Sequence, residues 1–249
     1  MSSNSQDPLA PLVRKLGLWS PLDSQDEEAV LALPYTLRTL TAHSYIVREG
    51  DNPESSCLLV SGFAYRQKVV GNGGRQILAL HMKGDIVDLQ NSLLRTADHN
   101  VQALTKVEVA FIPREAVKKL AFGRPSVGMA MWYDTLVDGS VQREWTANVG
   151  RRDATTRMAH LLCEFGIRLE DAGLGDRCDY ELPMTQEQLA DATGLTSVHV
   201  NRTLMALDRD KITHRNKRAV RVVDWNRLAE VGDFSSEYLH LQDEMAAAE

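Results

Sequence analysis

The chain has only three cysteines in 249 residues, Cys57, Cys163 and Cys178, scattered and odd in number. They form no disulfide framework, and this usage fits a reducing cytoplasm. No apolar run approaches the roughly 18 residues that a membrane-spanning helix needs. The start, MSSNSQDPLA, has neither a basic nor an apolar region, so a secretory signal is not expected and a cytoplasmic location is. There is no H-x-H pair and no internal repeat. What remains, 43% hydrophobic and 25% charged residues, is the composition of a globular protein of one or two domains.

The net charge of −6 is unevenly spread. Residues 224–249 hold seven acidic side chains against Arg227, which accounts for the whole of it. Residues 196–223 hold seven lysines and arginines against Asp208 and Asp210, a local +5. A basic patch inside an acidic chain is the electrostatic footprint of phosphate binding.

That patch lies in and after the most informative stretch, residues 184–212, MTQEQLADATGLTSVHVNRTLMALDRDKI. Thr185 and Gln188 have the spacing of a capping box, which starts a helix there. Gly194 ends it where a positive φ costs glycine little. Thr196 or Ser197 then caps a second helix to about Asp210, with Val200, Leu204 and Leu207 on its inner face. Ser197, Val198, Asn201 and Arg202 fall on the outer face of its first two turns. A helix-turn-helix places the side chains that enter the major groove there. THRNKRAVRVV, residues 213–223, reads as two short strands around a basic turn.

The rest of the chain divides by periodicity. Residues 1–8 are polar and expected to be disordered. Residues 9–40 read as short helices broken at Pro21 and Pro34. From 41 to 112, short β-rich runs (SYIV, CLLV, FAYRQKVV, QILALHM, VQALTKVEVAFI) alternate with turns, and Gly71-Asn72-Gly73-Gly74 is a hairpin tip. A short helix is expected over 115–121 and a long one over 126–148, apolar at Ala130, Val137, Val141 and Trp145. Arg151-Arg152-Asp153 marks a hinge before a helix over 156–169. A loop leads into the helix-turn-helix, one more helix follows over 224–231, and an acidic tail starts at Gly232.

TQEQLADATGLTSVHVNRTL followed by a basic wing resembles the DNA-binding domain of the CRP/FNR family of bacterial transcription regulators. REGD, SG, GNGGRQI and GD fall at family-like spacing upstream. The resemblance implies an α+β protein: a β-roll of the cyclic-nucleotide-binding kind over 1–125, a dimerisation helix over 126–150, a winged helix-turn-helix over 151–231, and the tail over 232–249. It implies a homodimer on a pseudo-palindromic site of double-stranded DNA, with RNA polymerase as a partner. The long helix could pack on its own sheet, but its length favours pairing with a twin through Ala130, Val137, Val141 and Trp145.

Expected DNA contacts are Thr185 and Gln186 near the backbone, Thr196, Ser197, Val198, His199, Asn201 and Arg202 at the recognition helix, and Arg215, Lys217 and Arg218 on the wing. Arg202 matches the family's arginine and can donate twice to a guanine. The family's usual glutamate in the first turn is replaced by Val198, which cannot accept from cytosine but can touch a thymine methyl. The family's half-sites therefore do not carry over in full.

The sensor half departs further. Cyclic-nucleotide-binding relatives follow GD with a glutamate for the ribose and an arginine for the phosphate. Here GDIVDLQNSLLRTADHNVQAL has no glutamate in place. Anchoring on Val101-Gln102-Ala103 puts Ala97, not Arg95, at the arginine position. Cyclic nucleotide is therefore not expected as effector. An iron–sulfur cluster is not expected either, because no cysteines cluster near the N-terminus. No cofactor is expected, with haem left open through His43, His81 and His99. A small-molecule effector is of unknown kind, and a ligand-independent regulator controlled by abundance is the alternative. A cupin-like metal enzyme would need closely spaced histidines that the β-rich region lacks. A protein-binding helix-turn-helix is disfavoured by the +5 patch.

Overall fold

The computed structural model describes residues 7–241. Residues 1–6 and 242–249 lie outside the described residues, and with them most of the expected disordered start and the end of the acidic tail. The chain divides into two compact units. One gathers the chain up to Gln67 with Leu80–Asp138, the other Lys68–Ala79 with the chain from Gly139 onward.

Along the chain, α1 (Ala10–Trp19) and α2 (Ser24–Leu31) precede β1 (Thr36–Leu40), β2 (Tyr45–Val47), β3 (Ser55–Ser61), β4 (Ala64–Val69) and β5 (Arg75–His81), with residues 68–79 belonging to the second unit. β6 (Asn100–Ala103), β7 (Val107–Pro113), α3 (Arg114–Gly123) and the long α4 (Pro125–Arg151) follow. The strands form two sheets, β1-β7-β3 and β2-β6-β4-β5, with antiparallel pairing of β7 to β1 and β3 and of β6 to β2 and β4. β3 is buried on both faces, which is why CLLV reads as a continuous apolar run rather than an alternation. Cys57 and Leu59 pack with Ala64, Val101 and Val109. Leu58, pointing the other way, packs with Leu12 and Leu16 of α1 and Ala130 of α4. Gly62, the glycine of SG, has φ +81°, and a Cβ there would meet the Lys106 carbonyl at 2.3 Å. Only glycine fits that turn.

Several sequence expectations need correction. Residues 36–40 are a strand rather than the end of the helical region, because TLRTL pairs in register with β7. The β-rich run VQALTKVEVAFI resolves into two strands, β6 and β7. α4 runs Pro125–Arg151, longer than 126–148.

The second unit contains α5 (Ala154–Asp171), β8 (Asp179–Glu181), α6 (Gln186–Thr193), α7 (Ser197–Arg209), β9 (Thr213–Asn216), β10 (Ala219–Val222) and α8 (Trp225–Val231). β8 was not foreseen; it joins the wing as the third strand, in the order β8-β10-β9. Asp153, in the expected hinge, caps α5 by accepting from the Thr155 and Thr156 amides. Within this unit, residues 68–79 pack on the helices: Arg75 pairs with Asp191 of α6 at 2.6 Å, and the Gln142 side-chain amide donates to the Leu78 carbonyl at 2.8 Å.

The segment after α8 is not simply an acidic tail. Leu239 is buried, and the Tyr238 ring stacks on His160 of α5. Beneath it lies the buried carboxylate of Glu164. It accepts from the Trp145 indole N–H at 2.9 Å, the Tyr238 hydroxyl at 2.8 Å and Arg168 at 3.4 Å.

Candidate nucleic-acid interface

The helix-turn-helix forms where the sequence places it. Thr185 is the N-cap of α6, with the full capping box: its hydroxyl accepts from the Gln188 amide at 3.2 Å, and the Gln188 side chain accepts from the Thr185 amide at 2.9 Å. Gly194 closes α6 at φ +64°. Thr196 caps α7, its hydroxyl accepting from the His199 amide. Leu189 and Ala190 of α6 and Val200, Leu204 and Leu207 of α7 are buried, which fixes how both helices face. Arg157 of α5 holds the turn from behind by donating to the Thr193 carbonyl at 3.0 Å.

With that rotation set, Thr185, Gln186, Thr196, Ser197, Val198, His199, Asn201 and Arg202 are all exposed. Positions 198, 202 and 205 share one stripe of α7, opposite Val200, Leu204 and Leu207. Arg202, Lys217 and Arg218 make no ion pair among the described residues, so their charge is available to a ligand. Arg209 and Arg221 are partly neutralised by Asp210 and Asp179, at 3.1 and 3.2 Å. Arg215 differs from the other wing cations. It is half-buried, its Nε has no partner, and burial pushes its pKa down.

The wing turn is strained. Asn216 pairs with Ala219, so Lys217 and Arg218 form a two-residue turn, and Lys217 has φ +55°. Glycine is usual at the first central position of such turns, and a non-glycine there costs roughly 1–3 kcal/mol. A lysine held in this conformation keeps a charge at the wing tip at the expense of stability. Lys217→Gly is therefore expected to raise the melting temperature while weakening DNA binding. A variant with lower stability and unchanged binding would remove the lysine from the interface.

The α4 residues expected at a dimer interface are for the most part covered by their own chain. Ala130 lies in the core of the first unit, Val141 and Trp145 are buried, and Val137 is half-buried. The sequence stripe is the face that α4 packs against its own chain, because an apolar period alone does not say which of two apolar faces is covered. Exposed beside it are Met129 (49%), Trp132 (61%) and Leu136 (55%), spaced i, i+3, i+7. In the sequence this second stripe merges with the apolar neighbours Ala130 and Met131, which hid it.

The sensor residues have clear positions. Asp88 is fully buried, accepts from the Cys57 amide at 2.7 Å, and burial pushes its pKa up to about 6. Ala97 is buried, Leu89 packs on the apolar core, and Arg95 is exposed on a cleft lined also by Glu54 and Glu115. His43 is exposed, whereas His81 and His99 are buried, each with its pKa pushed down chiefly by burial. Among the described residues no three His, Cys, Asp or Glu side chains are placed to hold a metal ion. None of the described helices is long and apolar enough to cross a membrane.

Known proteins carry the same two parts. Residues 37–123 match the cyclic nucleotide-binding domain and residues 156–231 the Crp-like helix-turn-helix domain. The transcriptional activator protein FnrL of Cereibacter sphaeroides is 30% identical over 230 residues, covering 90% of this chain and 91% of its own. The nitrogen fixation regulation protein FixK of Azorhizobium caulinodans is 23% identical, covering 78% and 82%. The structure of FixK2 from Bradyrhizobium japonicum has the same fold, with a TM-score of 0.75 at 24% identity over 82% of this chain and 100% of that one. A β-roll, a long helix and a winged helix-turn-helix, matched along nine-tenths of the chain by a regulator at this identity, place the protein in the CRP/FNR family of transcription regulators.

Proposed function

We propose that the protein is a homodimeric transcription activator that reads a pseudo-palindromic DNA site through α7 and does not respond to cyclic AMP or cyclic GMP. The observation that carries the reading is the outer face of α7: Arg202 is exposed there and unpaired among the described residues, and the wing that follows exposes Lys217 and Arg218. The name of FnrL, an activator, supports activation, and family membership supports RNA polymerase as partner. The stripe Met129, Trp132, Leu136 supports a two-fold pair along α4, which sets two recognition helices on half-sites about one helical turn, roughly 34 Å, apart.

Selection from a random DNA pool provides the site, and Arg202 provides the test. Arg202→Ala is expected to cost about 1–3 kcal/mol on the selected site and to relax preference at one base pair per half-site. Lys217→Ala should instead weaken all sequences alike and flatten the salt dependence by about one unit. Unchanged affinity of Arg202→Ala for its site would refute the assignment of α7.

The absence of a nucleotide response rests on the β-roll. A cyclic phosphate would lack its arginine, since Ala97 stands at that position, and no glutamate stands in place for the ribose. A lost charge-assisted hydrogen bond weakens binding by roughly ten- to a hundredfold. Either cyclic nucleotide at millimolar concentration is expected to leave the melting temperature unchanged. A ligand at 100 times its dissociation constant adds about 2.7 kcal/mol, so a clear rise would overturn this part of the reading. DNA binding by the untreated protein would favour control by abundance over an unidentified effector.

A further inference from the structure

Val198 is 60% exposed on the outermost line of α7. Nothing in the fold asks for a valine there. Most of its side chain is in solvent, and a β-branched side chain is a poorer helix former than alanine. Its position is nevertheless tightly defined. The Thr196 cap fixes where α7 begins, and the buried Val200, Leu204 and Leu207 fix its rotation. Val198 therefore lies in the first turn, the part of a recognition helix that reaches base edges, and one turn before Arg202 on the same stripe.

In the major groove the edges of the bases offer hydrogen-bond donors and acceptors and one apolar group, the 5-methyl of thymine. A valine has no hydrogen-bonding atom in its side chain. Against guanine, cytosine or adenine edges it would cover polar groups without satisfying them; against a thymine methyl it buries apolar surface. We propose that Val198 is a specificity-determining residue that reads the 5-methyl group of one thymine in each half-site, next to the base pair contacted by Arg202. The inference rests on the reading of α7 as the DNA-recognition helix and deepens it by naming the chemical group read. The methyl is recognised as such, so 5-methylcytosine in place of that thymine, paired with guanine, retains the contact that cytosine lacks.

The test uses the full-length protein and its selected site, with each thymine replaced in turn by deoxyuridine. That change removes the methyl and leaves base pairing and every donor and acceptor in place. The parent is expected to lose about fourfold in affinity at one thymine per half-site, the effect of burying one methyl group. Val198→Ala, an exposed and helix-compatible change, should bind the thymine site more weakly than the parent and show no further loss at that deoxyuridine. Cytosine at the same position should bind more weakly than 5-methylcytosine with the parent and equally with Val198→Ala.

Selective binding without any Val198-dependent deoxyuridine position would overturn the role of Val198 and leave the DNA-binding reading standing. A deoxyuridine effect that survives Val198→Ala but disappears in Met205→Ala would transfer the methyl contact to Met205, 66% exposed on the same stripe, and equally overturn the proposal. No sequence-selective binding by the parent would remove the DNA-binding reading and the valine's role together.

Discussion

Leu136→Glu is expected to leave the fold intact, convert the proposed dimer to a monomer and reduce affinity for the proposed full palindrome by roughly 10²–10⁴-fold, the gain that a second linked contact supplies. Leu136 is exposed in the single chain, so a glutamate there is solvated and costs the monomer little. Across a two-fold axis the same change places two carboxylates in an apolar seam with Met129 and Trp132, at a cost of several kcal/mol. Size-exclusion chromatography with light scattering reads the oligomer, and titration of whole and half sites reads the affinity. Val141→Glu is the informative contrast. Val141 is 7% exposed within its own chain, so that carboxylate should lower the melting temperature rather than dissociate subunits. A Leu136→Glu variant that remains dimeric at micromolar concentration would move the interface off this stripe.

Glu164→Ala is expected to be the most destabilising single change in the helix-turn-helix unit. The carboxylate is buried and holds together α4, α5 and the segment after α8 through Trp145, Arg168 and Tyr238. Removing it takes the acceptor from the buried Trp145 indole N–H and one partner each from Tyr238 and Arg168. Breaking a buried charged network in this way costs roughly 3–5 kcal/mol. In a protein of this size that corresponds to a fall of about 10 °C in melting temperature. Glu164→Gln keeps the shape and one acceptor and should lose less. A melting temperature within 2–3 °C of the parent for Glu164→Ala would mean that the network contributes little.

The parts of the fold that were legible in the sequence are those set by local rules. The capping box at Thr185 and Gln188, Gly194 at positive φ and the Val200–Leu204–Leu207 stripe each act within a few residues, so the recognition helix and its outer residues could be read directly. The tip at Gly71–Gly74 was legible for the same reason. Features fixed by partners distant in sequence were not. β8 is a strand because Tyr180 pairs with Val220. TLRTL is a strand because β7 lies beside it. The exposed stripe Met129, Trp132, Leu136 was not legible, because α4 has two apolar stripes and the period alone does not say which of them the chain covers. Arg75 gave no local signal at all: its partner Asp191 lies 116 residues away.

The covering of His160 and Glu164 by residues 232–239 also bears on how the protein can be cut and fused. The matched helix-turn-helix domain ends at residue 231, a natural place to trim. The fold ends later, since Phe234 and Tyr238 close over His160 and Leu239 is buried. A fragment stopped at 231 would expose the face of α5 that these rings shelter and become prone to proteolysis and aggregation. Affinity handles or fluorescent fusions belong beyond Leu239.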